Sequence, residues 1–167
     1  MTGGLFEATR DLHHACEAHP VGQRMTAGTV SRQEWADWLA AFRALHITID
    51  PHHPAHMTRV ALLDADLALL PAPRAGQAAD RLAATLATPT SIAAAAYVLH
   101  GAHRRGGRVL AATMAKASLP TAHVIYPLPA EVEALVKSLR DRADLADGAR
   151  AVFAGLLAVM DEIEARP

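Results

Sequence analysis

The segment FEATRDLHHACEAHP, residues 6–20, sets His13 and Glu17 four residues apart. On a helix, residues at that spacing are neighbours on one face. A carboxylate there can accept the Nδ1 proton of the imidazole, which fixes the tautomer and leaves Nε2 free to ligate a metal. The same spacing equally describes a solvated surface pair worth a few tenths of a kcal/mol, and spacing alone leaves both readings open. His14, adjacent to His13, points about 100° away and shares no face with it. A second stretch, AYVLHGAHRRGGRVLAA at 96–112, carries Gly101, Gly106 and Gly107 in an otherwise helical run. Each glycine costs about 1 kcal/mol relative to alanine in a helix interior. Bare backbone admits something that a Cβ would exclude; alternatively Gly106 ends one helix and another begins at Arg108.

Ten histidines in 167 residues is an unusual count. His46, Asp50, His53 and His56 suggest a metal set, but Pro51 and Pro54 break the helix, so the spacing fits no fixed ligand geometry. His19 and His123 adjoin turns and are expected at the surface. Trp35 and Trp38 are read as core bulk rather than a cofactor stack. No cysteine pair, nucleophile elbow or phosphate loop is present.

The elements that must position these residues are helical. Aromatic residues make up 4% of the chain and β-branched residues never alternate as strands do. Helical periodicity is expected over Leu5–Ala18, over Arg32 to before Pro51, and over Val60–Leu70. It resumes over Gln77–Ala87 and Ser91–Ala117, and then over Ala130–Ala143 and Asp147–Ala165. Ser31 and Glu34 form a capping box at the start of the second of these. Prolines punctuate SLPTAHVIYPLP at 118–129. With no repeat and no linker, the fold expected is one all-α domain, a compact bundle of six to eight helices spanning 1–167. A net charge of −1 offers no field for nucleic acid or an anionic membrane, and no apolar run reaches a membrane span. The lone Cys16 allows no internal disulfide. A cytoplasmic setting is expected.

Taken together, three segments resemble haem oxygenases of bacteria. The opening ATRDLHHACEAHPVGQRM matches a first helix with Thr-x-x-x-His-x-x-x-Glu, here Thr9, His13 and Glu17. RVALLDADLALL is similar to the third-helix region of that family, and AAAAYVLHGAHRRGGRVLAA to its distal helix, which crosses the haem at its glycines. The resemblance implies a haem oxygenase-like helical bundle with haem as substrate and cofactor. It implies ring opening to biliverdin, Fe2+ and CO, with electrons from a ferredoxin or a reductase. His13 becomes the proximal iron ligand, Glu17 its hydrogen-bond acceptor, and Gly101, Gly106 and Gly107 the distal roof. Lys137 and Arg140, three apart on a late helix, fall where the family binds propionates. Departures from the family pattern also carry expectations. The spacer GAHRRGG is one residue longer than usual, which calls for a π-bulge or a rotation of about 100°. His103 replaces a small or acidic residue, so it is expected to act on distal water or dioxygen, or to ligate the iron and block it. His100 stands where related sequences carry Glu. Two alternatives follow: a non-catalytic haem-binding relative with a six-coordinate haem, or a haem-free member of the same fold using non-haem iron or thiaminase-like chemistry.

Overall fold

The fold is known from a computed structural model, which describes residues 4–167. Helix α1 spans Leu5–Ala18. The chain does not then enter a loop, as the proline at 20 suggested; it starts a further helix, α2, over Pro20–Ala27. Pro20 has no N–H to lose at the first helical position, and the Nδ1 of His19 accepts from Val21 N to cap the new helix. So His19 is a cap and a partner of Asp161, at 3.2 Å, rather than a free surface residue. Ser31 and Glu34 form both halves of the expected capping box, and α3 runs over Arg32–Ile49. It buries Trp35, Trp38, Leu39, Phe42, Leu45 and Ile49.

The later helices are α4 (Val60–Leu67), α5 (Ala78–Thr85), α6 (Pro89–Gly101), α7 (Gly107–Lys116), α8 (Pro129–Arg140) and α9 (Ala146–Glu164). All regular structure among the described residues is helical. The last helix, α9, is the central post: α1, α5 and α6 pack along it, while α8 covers the far side of α6 and α4 and α5 lie on α3. No helix among the described residues is long and apolar enough to cross a membrane.

Helices α6 and α7 are one continuous rod whose joint, Ala102–Gly106, is a π-turn. The extra residue of the spacer is thus taken up as one wider turn, and the helix goes on. The two adjacent glycines, Gly106 closing that turn and Gly107 opening α7, do different work. A Cβ on Gly107 would lie 2.8 Å from Val124 Cγ1, whereas one on Gly106 would meet no other element among the described residues within 4 Å. Gly107 therefore lets the rod sit against the turn at Ala122–Val124, which corrects the expectation that both glycines form an open roof.

The core holds a polar layer. His46, His100, His103 and His123 are each at most 3% exposed, and Asp50, Arg59 and Asp66 are buried beside them. His123 is therefore a core residue, contrary to the surface position expected from its loop. Asp66 Oδ1 accepts from Ala122 N and its Oδ2 from His123 N and His123 Nδ1, so one carboxylate organises the whole turn. Arg59 donates to the carbonyls of His56, Met57, His123 and Ile125 and lies 3.9 Å over the Tyr126 ring, clamping the 50–59 and 122–126 segments together. Burial pushes the imidazoles of His46, His53 and His103 below their ordinary value and that of His100 down to about 3.

Two outcomes are expected. Gly107→Ala should destabilise the fold by about 1–3 kcal/mol through overpacking against Val124, while Gly106→Ala should be neutral or stabilising by up to about 1 kcal/mol; urea unfolding of both variants checks this. A buried neutral histidine protonates more readily once unfolded, so the unfolded state takes up protons as pH falls below 6.5. Each such histidine then removes about 1.4 kcal/mol of stability per pH unit down to its folded pKa, which for His100 is about 3. Asp50 and Asp66 sit below the usual carboxylate range, so their loss comes only below about pH 4. Urea midpoints should fall steeply between pH 6.5 and 4.5; a flat profile there would contradict neutral burial.

Candidate functional site

Helix α1 turns Leu5 and Thr9 into the core and leaves Phe6, Arg10 and His13 exposed, a stripe at i, i+4 and i+7. His13 presents 47% of its side chain to solvent, with Nδ1 3.6 Å from Glu17 Oε2. Its ring meets Phe153 of α9 edge-on at 5.8 Å between centroids. The carboxylate therefore stands on the Nδ1 side of the ring, the side a second-sphere acceptor takes when Nε2 is the ligating atom. His14 is also exposed, with its ring 6.3 Å from that of His13.

The α6–α7 rod presents a comparable open stripe: Ala102, Arg105, Gly106 and Val109 are all exposed, Val109 at 68%. Gly101 is roomier than its helix context demands, since a Cβ there would make only an ordinary contact with Val136 at 3.9 Å. Beside this stripe lies an open depression of about 570 Å³ lined by Arg104, Arg105, Arg108, Val109 and Glu133. Arg104 and Arg105 flank Glu133 of α8, at 3.9 and 3.4 Å. Helix α8 ends against the start of α1, and α7 runs past the end of α2. Arg140 O, at the end of α8, lies 3.0 Å from where a Gly4 Cβ would stand, and Thr113 of α7 abuts Gly28 after α2. Lys137 is exposed and Arg140 half-buried on the last turns of α8. Burial raises the Tyr97 hydroxyl, and the Arg140 and Arg105 cations oppose that rise, which places both near one rim.

Behind the glycines the rod is lined with imidazole. His103, expected to reach distal water or dioxygen, is 3% exposed and set among Phe42, His46 and His123, at centroid distances of 5.1, 5.2 and 5.4 Å. Its Nε2 lies 3.0 Å from His46 Nε2. The Nδ1 of His46 is 2.8 Å from Asp50 Oδ1. Asp50 Oδ2 accepts from Arg59 N and Val60 N at 2.7 and 2.9 Å. His100 is fully buried, its Nδ1 2.8 Å from the Tyr126 hydroxyl, and its Nε2 has no partner. The His53 ring meets His100 edge-on at 5.0 Å, and its Nε2 is likewise unpartnered. No group of three or more His, Cys, Asp or Glu among the described residues is arranged to hold a metal ion. His46 and Asp50 bond each other, and His56 Nε2 lies 2.8 Å from Glu131. Arg59, Asp66 and Tyr126 carry no motif that marks them in the sequence. Their signal is faint: single polar residues in loops or on short helices, meeting partners up to 66 residues away.

No family model matches the chain, and no curated protein matches its sequence. Solved structures do match. The heme oxygenase-1 of the cyanobacterium Synechocystis, solved in complex with heme, superposes with a TM-score of 0.79 over 96% of this chain and 90% of its own, at 17% identity. The heme oxygenase of Leptospira interrogans gives 0.78 over 95% of this chain and 97% of its own, also at 17% identity. Nearly the whole chain is covered in both cases, so the likeness extends to the full arrangement of helices and not to a shared sub-motif. The chain has the all-α fold of bacterial haem oxygenases.

Proposed function

We propose that this chain binds haem between the exposed stripe of α1 and that of the α6–α7 rod, and opens the ring to biliverdin, Fe2+ and CO. The observation that carries this reading is the pairing of two features. One exposed imidazole, His13, has a carboxylate on its Nδ1 side, and one glycine, Gly106, has no other element among the described residues within 4 Å of where its Cβ would be. The first suits an iron ligand; the second suits a flat ring lying against helix backbone. Exposed Phe6 and Val109 add apolar surface of the kind a porphyrin covers.

Haem, once bound, supplies both the iron that activates dioxygen and the carbon skeleton that is opened. The protein's part is positioning. Glu17, 3.6 Å from His13 Nδ1, stands where it would take that proton on closer approach and so leave Nε2 to ligate the iron. Lys137 and Arg140 stand where α8 ends beside α1 and offer cations to the two propionates. Gly101 and Gly106 keep side chains off the ring. His103 and His100 lie in the core, which favours an open sixth position over the six-coordinate, non-catalytic alternative. Electrons come from outside the chain, from a ferredoxin or a reductase.

Hemin titration tests this directly. The wild-type protein should develop a Soret band at one equivalent. His13→Ala should weaken binding by on the order of tenfold or more, about 1.4 kcal/mol, with recovery on adding imidazole. His14→Ala should stay within about twofold. Gly106→Leu should lose hemin binding while unfolding at unchanged or higher urea concentration, because the side chain projects from the exposed face of the rod and not into the core. Growth of biliverdin absorbance under ascorbate or a reductase system then reports turnover. A wild-type protein that gives no Soret shift removes the haem reading altogether.

A further inference from the structure

The buried chain Asp50–His46–His103 has only one consistent placement of protons. Asp50 Oδ2 faces two backbone donors, Arg59 N and Val60 N, so it must present a lone pair to each. Burial raises the Asp50 carboxyl, but His46 and those backbone donors outweigh it and hold it below the usual range, so it rests ionised. An ionised carboxylate is acceptor-only. The contact at 2.8 Å is therefore donated by His46 Nδ1–H. A neutral imidazole has one N–H, and His46 is held neutral, so its Nε2 is bare. The 3.0 Å contact between the two Nε2 atoms then requires His103 Nε2–H to donate. What remains is the lone pair on His103 Nδ1, which makes no hydrogen bond among the described residues. His103 sits in the π-turn, three residues before the open Gly106.

We propose that Asp50 and His46 are positioning residues that lock the tautomer of His103, making the back of the glycine wall a proton acceptor wired to a buried carboxylate. The relay balances. A proton taken up at His103 Nδ1 releases the Nε2 proton to His46 Nε2, whose Nδ1 proton passes to Asp50. The three groups end one proton richer, with Asp50 neutral, and the reverse sequence returns the proton at Nδ1. The groups facing His103 are His46 from α3, His123 from the turn at Ala122–Val124, His100 from its own rod and the Arg59 cation. Each of them disfavours a charge resting on the His103 ring, as does burial. A relay that moves charge through to Asp50 avoids that cost. The lock stands on this hydrogen-bond geometry together with an ionised Asp50 and a neutral His46; what it acts on rests on the haem reading above.

Asp50→Asn gives a sharp test. The asparagine carbonyl must stay on the two backbone donors, so its NH2 turns to His46 Nδ1. That forces His46 to carry its proton on Nε2, and His103 in turn to carry its own on Nδ1. Two-bond 15N–1H spectra of the haem-free protein should show His46 as Nδ1–H and His103 as Nε2–H in the wild type, with both inverted in Asp50→Asn. A wild-type protein with the opposite tautomers, or a variant with no inversion, overturns the proposal. Should Asp50→Asn fail to fold, His46→Leu serves: His103 loses its acceptor and should change from one tautomer to a mixture, and an unchanged His103 overturns the lock. With hemin and ascorbate, the inverted variant should open the ring at least about tenfold more slowly. Its pH profile should also lose the wild-type limb set by proton uptake. Inverted tautomers with wild-type turnover would overturn the role assigned to the relay. Absence of any Soret shift in the wild type would instead defeat the haem reading, and the tautomers would still decide the lock.

Discussion

A charge taken out of water must be given back its hydrogen bonds, and the interior of this bundle is arranged around that requirement. Asp50 and Asp66 meet it in the same manner: each carboxylate gathers two backbone N–H groups from a loop and one imidazole. Arg59 meets it with four carbonyl oxygens and an aromatic face. These three side chains join segments that would otherwise have only irregular backbone to hold them. Through His46 and His123 they also confine His103 from two sides, and His103 belongs to the rod that carries the open glycine. The polar layer and the candidate binding face are consequently two sides of one helix.

Much of the architecture was legible because helices write their faces into local spacing. The capping box at Ser31, the tryptophans of α3 and the first helix all appear where periodicity put them. The spacer GAHRRGG left a π-turn or a rotation of the later helix open, and the structure has the π-turn. Helix α2 escaped notice for a local reason: a proline that usually ends a helix here begins one. The buried histidines escaped for a non-local one. His123 follows a run of turn residues, and nothing nearby in sequence says that Asp66 will reach it across 57 positions.

The candidate site divides along the same line. His13 and Glu17 sit one turn apart, and their pairing survives folding because the helix alone fixes it. The glycines could be flagged from sequence but not told apart. Gly106 and Gly107 are neighbours with identical local context, yet one borders open space and the other is pressed on Val124. Only the approach of the 122–124 turn distinguishes them. His103 shows the same dependence, since its place in the motif suggested a ligand-facing group and its partners lie on α3.

The π-turn at Ala102–Gly106 works as a slip joint. An ordinary helix that gains a residue swings every later side chain around its axis, so α7 would lose its seat on the rest of the bundle. Confining the surplus to one wide loop of backbone keeps the downstream register intact. A helix built this way can change length by a residue without the remainder of the protein having to be rebuilt around it.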